Sequence, residues 1–250
     1  MNIFIYLPIH FIMKKSIITK IIWVAVFSIA MAYLESAVVV YMRAMFYPDG
    51  FNFPLKIIEQ NIAITEFFRE IATVIMLVGA GIMAGRRAVE KFAFFVFAFA
   101  IWDIFYYVFL KLLLNWPDTF FTWDILFMVP ITWVGPVLAP LINCVIMLAL
   151  AVAIFIIEGK RQNTHLGFAE WSLLIGGTLI IIFSYTAEYS MFILSKFSLR
   201  ELINFTDSYE IMRYATKYIP EYFNWFVFGA GCLLHLLAIT IYCMKNSSVK

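Results

Sequence analysis

The chain has 250 residues, of which 64% are hydrophobic, 19% aromatic and only 14% charged, with a formal net charge of +2. About a quarter of the residues in a soluble domain are charged, so this composition excludes a soluble globular fold. The small charge, with no continuous basic patch or arm, gives no footprint for nucleic acid and leaves the lipid bilayer as the first partner.

Six apolar stretches predict an all-α, polytopic membrane bundle with spans at about 17–45, 62–85, 91–114, 136–157, 168–194 and 221–243. At ~1.5 Å per residue each crosses ~30 Å of hydrocarbon. Ahead of the first span, residues 1–12 are apolar, whereas Met13-Lys14-Lys15 reads as a natural start. Ala30-Met31-Ala32 imitates a signal cleavage site, but the apolar run continues to Val40, so the stretch is read as an uncleaved span. Within it Glu35 and Arg43 share one helical stripe with Ser28.

The second span places Glu66, Arg69, Glu70 and Thr73 on one stripe, continued by Gly81 and Gly85 at the spacing of close helix packing. The third carries Asp103, Tyr106, Tyr107 and Lys111 on one face. Trp116-Pro117-Asp118 ends it. Residues 119–134 then form an apolar segment too short and interrupted to span, read as re-entrant or interfacial over a pocket, with an ordinary outer loop as the alternative. Pro136 is expected to open the fourth helix and Pro140 to kink its first turns, giving a Pro-broken fourth segment. Trp102-Asp103-Ile104 recurs as Trp123-Asp124-Ile125, a repeat with nothing matching around it.

The fifth span offers Gly177, Ser184, Tyr185 and Glu188. The connection 195–220 has a helical signal, with Asp207 as cap, Glu210 three residues on, and Ile211, Tyr214, Ala215 and Tyr218 at helical spacing. It is expected to lie on the outer membrane surface or to cover the bundle. In the sixth span His235 shares a face with Trp225, Gly229 and Cys232, and a lone membrane histidine is usually a helix–helix hydrogen-bonding partner. Cys144, Cys232 and Cys243 show no ligand-like spacing and are read as small packing residues.

Orientation follows from Lys and Arg. Lys14, Lys15, Lys20, Arg86, Arg87, Lys91, Lys160, Arg161, Lys245 and Lys250 all fall on one side of an alternating six-span path. The positive-inside rule then places both termini in the cytoplasm, with a bacterial cytoplasmic membrane as the expected location. From that side Glu35 lies ~22 Å beyond Lys20, Glu70 ~24 Å beyond Arg86, and Asp103 ~18 Å beyond Lys91, all past the midplane. Glu66, Lys111 and Glu188 lie near the outer boundary, where snorkelling is the simpler role.

Ionisable groups at this depth are costly and mark candidate functional positions. Glu35, Glu70 and Asp103 are the candidate acid–base groups or proton carriers. Arg69 and Arg43 are candidates to hold a polar head group or to pair with these acids, and Tyr106, Tyr107, Glu188 and Trp225 to wall an outward pocket bounded by spans one, two, three and five. No catalytic or phosphate-binding signature is present, His10, His165 and His235 are too scattered for a zinc or haem site, and no cofactor or metal is assigned. The reading is a membrane-embedded enzyme or binder of a lipid-like or apolar small molecule. Proton- or cation-coupled transport and a structural subunit of a membrane complex are the alternatives.

Overall fold

The computed structural model describes residues 15–129, 131–161, 164–203 and 208–247. Six helices long and apolar enough to cross a membrane dominate it: α1 (Lys15–Phe46), α2 (Gln60–Ala84), α3 (Ala88–Leu114), α4 (Leu138–Lys160), α5 (Phe168–Leu194) and α8 (Trp225–Ser247). The chain is an all-α, multi-pass membrane protein, and the helices match the expected spans to within a few residues. Met13 and residues 1–12 lie outside the described residues. Ala30-Met31-Ala32 sits in the middle of α1, with Met31 and Ala32 buried in the core.

The helix α3 is central. Phe94 and Phe97 of α3 pack on Phe155 of α4, and the same core takes Val24 and Met31 from α1, Leu77 from α2, Leu174 from α5 and Tyr242 from α8. Two glycine seams let helices approach closely. A Cβ on Gly81 would stand 2.7 Å from the Lys91 carbonyl oxygen, and one on Gly177 would stand 2.8 Å from the Gly231 carbonyl oxygen. Small residues let backbones meet at this distance, which is how apolar helices gain contact without a hydrophobic drive between them. His235 acts in the expected way across the α5–α8 seam, its Nε2 lying 3.0 Å from the Leu174 carbonyl oxygen and 3.2 Å from Thr178 Oγ1.

At the Lys- and Arg-rich end, charged side chains tie the helix ends together. Arg87 pairs with Glu90 and with the buried Glu158, Lys245 pairs with Glu170 at 3.4 Å, and Lys20 Nζ donates to the Ala84 carbonyl at 2.6 Å.

The segment between α3 and α4, expected to be re-entrant or interfacial over a pocket or else an ordinary outer loop, has regular structure and contributes to a cavity wall. It is an antiparallel β-hairpin, β1 (Trp123–Phe127) and β2 (Trp133–Pro136), with a bulge between Ile125 and Phe127. Pairing satisfies backbone groups that hydrocarbon could not, which permits extended chain against the bundle. The fourth helix also departs from expectation. Pro136 closes β2 rather than opening α4, and Pro140 occupies the third helical position, where no N–H has an intrahelical acceptor. It therefore removes no helical hydrogen bond, and the expected break lies in the hairpin instead. Val137 N and Leu138 N donate outward, to Thr122 O at 3.0 Å and Phe120 O at 2.8 Å.

The connection after α5 carries two short helices, α6 (Leu199–Ile203) and α7 (Ser208–Ala215). Asp207, the expected cap, lies outside the described residues. Tyr214 stacks on Phe192 of α5 at 4.6 Å, so the segment covers the end of the bundle as anticipated. Tyr218, expected on the same helix, lies beyond it, buried against Tyr189 and Phe192.

Candidate functional site

A partly open cavity of about 220 Å³ lies between α1, α2, α3 and the hairpin, with the connection 47–58 at its mouth. Five carboxylates line it: Glu35, Glu66, Glu70, Asp103 and Asp124. Two guanidinium groups, Arg43 and Arg69, line it as well, together with Lys56. Most of the remaining wall is apolar or aromatic, from Val39, Phe46 and Phe51 to Trp102, Leu126 and Phe127.

Helical spacing explains the grouping on α2. Residues three and four apart share a face, so Glu66, Arg69, Glu70 and Thr73 all turn toward α1 and the hairpin. Arg69 bridges two helices, donating from Nε to Glu66 Oε2 at 2.7 Å and from its terminal nitrogen to Glu35. Thr73 Oγ1 donates to the other oxygen of Glu35 at 3.3 Å. Ser36, one residue on, clamps α1 to α3 by donating to the Tyr106 carbonyl at 3.2 Å.

Glu70 is handled differently. Its Oε2 accepts the Met128 backbone N–H at 2.8 Å, so the hairpin tip is fixed to a carboxylate ten residues, about 15 Å, inside α2. Among the described residues Asp103 on α3 accepts only the Cys144 thiol, at 3.2 Å. Cys144 thus does more than fill space, and its hydrogen bond links α4 to the site.

The second cluster forms around Asp124. Arg43 NH2 lies 3.7 Å from Asp124 Oδ1, and the Tyr107 hydroxyl donates to Oδ2 at 3.1 Å. The guanidinium of Arg43 also lies over the rings of Trp116, at 3.8 Å, and Phe51, at 4.7 Å. The two rings stand edge to face, with planes at 89°, and form an aromatic corner that favours a cation where water is scarce. Burial pushes the Asp124 carboxyl up to about 6, outweighing the opposing pulls of Arg43 and the Tyr107 hydroxyl.

The candidate residues therefore separate. Glu35, Glu70, Asp103, Arg69, Arg43 and Tyr106 line one cavity, and Tyr107 stands behind it as the support of Asp124. Glu188 and Trp225 do not line it, so the fifth span is not a wall of the cavity. Glu188 instead accepts the Tyr218 hydroxyl at 3.1 Å and the Glu221 N–H at 3.0 Å, fastening the external connection to α5. Trp225 packs on Phe223 and Phe228 at the start of α8. Lys111 donates to the carbonyls of Asn115 and Pro117, closing the end of α3 where Asn115 takes a left-handed conformation (φ 51°). Glu66 is buried beside Arg69, so it is not a snorkelling group.

Asp124 is not among the candidates expected from the sequence, because it stands in the second Trp-Asp-Ile, a repeat with nothing matching around it. Its signal was an acid inside an otherwise uncharged apolar segment next to the membrane. Among the described residues no group of three His, Cys, Asp or Glu side chains is arranged to hold a metal ion. No protein-family model, curated protein or solved structure matches the chain. The site is read from its own chemistry.

Proposed function

We propose that the protein is a membrane-embedded binder or enzyme for an apolar small molecule or lipid-like amphiphile, taken into the cavity between α1, α2, α3 and the hairpin. One observation carries this reading. A cavity with largely apolar walls holds five carboxylates against Lys56 and two guanidinium groups, both of which already lie against carboxylates. Pockets for small molecules combine this kind of apolar wall with a few convergent polar groups.

In this reading Glu70 and Asp103 are the acting groups. Each keeps carboxylate capacity beyond the hydrogen bond described, and among the described residues neither forms a salt bridge with a guanidinium. A carboxyl group in such surroundings can hold or release a proton at the polar end of a bound molecule. Arg69 and Arg43 then act by holding Glu35, Glu66 and Asp124 in place rather than by gripping a head group. The expected orientation, with both termini cytoplasmic, opens the cavity toward the exterior.

Native mass spectrometry from a gentle non-ionic detergent tests the proposal. Wild-type protein should retain a bound small molecule that is lost when Ala63, in the cavity wall, is replaced by Phe. A folded wild type that carries nothing, with no lipid extract yielding a bound species, removes the reading.

The same surplus of acids favours proton- or cation-coupled transport as a second reading, with Glu35, Glu70 and Asp103 as carriers. Flux driven by a pH gradient in proteoliposomes, abolished by Glu70→Gln, would select it.

A further inference from the structure

We infer that the molecule taken by this cavity presents an uncharged carbonyl group, as an ester or an amide does, to the guanidinium of Arg43. The inference rests on the binding reading above and names the chemical group that the outer part of that same site selects. The contact is with the body of the molecule, not with a charged head group.

The ground is a set of donors with nothing to donate to. Arg43 is 8% exposed and lines the cavity. Its approach to Asp124, 3.7 Å, is close enough for charge attraction but too long for a hydrogen bond. Trp116 and Phe51 offer it ring faces rather than lone pairs. Among the described residues, no oxygen accepts a hydrogen bond from Arg43, whereas Arg69 donates to both Glu66 and Glu35. Nor are these nitrogens sealed off. Among the described residues, the sealed polar side-chain atoms without a partner are the indole nitrogens of Trp102 and Trp133, not the guanidinium nitrogens of Arg43. The open donors of Arg43 therefore face the cavity that it lines. Donors in such a place are nearly always satisfied, so these call for an acceptor on the molecule that enters.

The charges decide which acceptor. Arg43, Arg69 and Lys56 stand against Glu35, Glu66, Glu70, Asp103 and Asp124 in the lining, so acids outnumber bases. An anion would add to that excess and compete with Asp124 for Arg43. A neutral oxygen does neither. It needs no proton of its own, because Asp124 already accepts from the Tyr107 hydroxyl at 3.1 Å and the groups left open beside it are donors. A carbonyl oxygen has two lone pairs in one plane and fits the planar fork of a guanidinium.

Position supports the same assignment. Val39 and Phe46 flank Arg43 on its face of α1, Phe51 stands over its guanidinium, and all three line the cavity, which suits hydrocarbon on either side of a carbonyl. Arg43 lies three residues, about 4.5 Å, from the end of α1 and eight residues, about 12 Å, from Glu35. A molecule held at Arg43, next to the mouth, extends its apolar body inward to the level of the deeper acids.

The experiment uses the full chain in maltoside micelles, whose detergent has no carbonyl, at neutral pH with matched probes. Methyl decanoate and N-methyldecanamide carry the carbonyl, decyl methyl ether lacks it, and decanoate replaces it with an anion. The ester and the amide should bind saturably, raise the melting temperature, and show an isotope-labelled carbonyl infrared band lowered from its position in empty micelles. The ether and decanoate should bind more weakly by about tenfold or more. Arg43→Met combined with Asp124→Asn removes the donors together with the charge they balance. It should weaken the ester by about tenfold and return its band to the micelle position, while the exposed Glu201→Gln changes neither. Should the double variant fail to fold, the probe series on wild type decides alone. Equal binding of ester and ether, or tighter binding of decanoate, overturns the carbonyl assignment and leaves the binding proposal standing. A folded double variant that binds the ester as tightly, with the same shifted band, overturns the role of Arg43 in the same way. No saturable binding of any probe to folded wild type, together with a bare native mass spectrum, removes both.

Discussion

Arg69 holds carboxylates from two helices at once, and this fixes what its loss should do. Arg69→Gln leaves the part-buried Glu35 and the buried Glu66 without that cationic partner, and the expected cost is up to roughly 3–5 kcal/mol while they stay ionised. Adding Glu35→Gln should recover part of that loss. Glu70→Gln should recover little, because the group held by Glu70 is the Met128 N–H and not Arg69. Thermal unfolding of the single and double variants in mild detergent reads the coupling, and strictly additive losses for Arg69 and Glu35 would mean they are not one unit. Asp124 makes a separate, pH-dependent statement. Its folded pKa, about 6, lies above the value of an exposed aspartate, so the folded state binds the proton more tightly than the unfolded state. The stability linked to this group is therefore full below about pH 4, falls as pH rises toward 6, and is flat above. Asp124→Asn should flatten that part of the curve between pH 4 and 6, whatever its constant offset from losing the Arg43 contact. A melting profile whose wild-type-minus-variant difference does not change with pH would show that Asp124 does not titrate there.

The crossing of α2 with α3 depends on a residue that does nothing except leave room. At Gly81 a Cβ would meet the Lys91 carbonyl at 2.7 Å and Phe95 at 2.9 Å, while at Gly79, on the open face, it would meet nothing within 4 Å. Gly81→Leu is therefore expected to force the helices apart and lower the melting temperature sharply, since packed backbone cannot yield. Gly79→Ala should be neutral or stabilise by about 0.5–1 kcal/mol through helix propensity alone. If both changes shift stability equally, the seam is not what holds this pair. The GxxxG spacing was visible before the structure because it is a local periodic signal. The hairpin was not visible, although all its residues were in view. Strands of a half-exposed sheet alternate apolar and polar side chains, but Trp123–Phe127 lies against the bundle and carries a single polar residue, Asp124. An apolar run interrupted by proline reads equally well as a loop, a re-entrant turn or a buried strand, and only the pairing of Asp124 with Gly135 and Ile125 with Val134 separates them.

At the scale of the whole molecule, the distribution of Lys and Arg makes a direct claim about orientation. Reporter fusions after Lys91, Lys160 and Lys250 should report the cytoplasm, and fusions near Pro117 and Asp207 the exterior. The cavity then opens outward, and Phe46→Cys in a chain with its native cysteines replaced should be labelled from outside intact cells by a membrane-impermeant thiol reagent. Labelling only after permeabilisation would place the cavity on the other side.

The sequence by itself determined that six helices cross a bilayer, roughly where each begins and ends, and that acids lie within them. Those properties depend on composition and on periods of a few residues, and Glu35, Glu70 and Asp103 are conspicuous simply because hydrocarbon excludes charge. Which acids share a cavity was a tertiary matter. Glu66, Arg69 and Glu70 meet Glu35 only because α1 and α2 both pack beside α3, and Asp124 joins them only because the hairpin folds back into the bundle. Depth along a helix can be counted from its flanking lysines, but the direction a side chain faces depends on which neighbour the helix packs against. That is why Glu188, at the right level on α5, fastens a connection instead of lining the cavity, while Asp124, outside every span, stands at its wall.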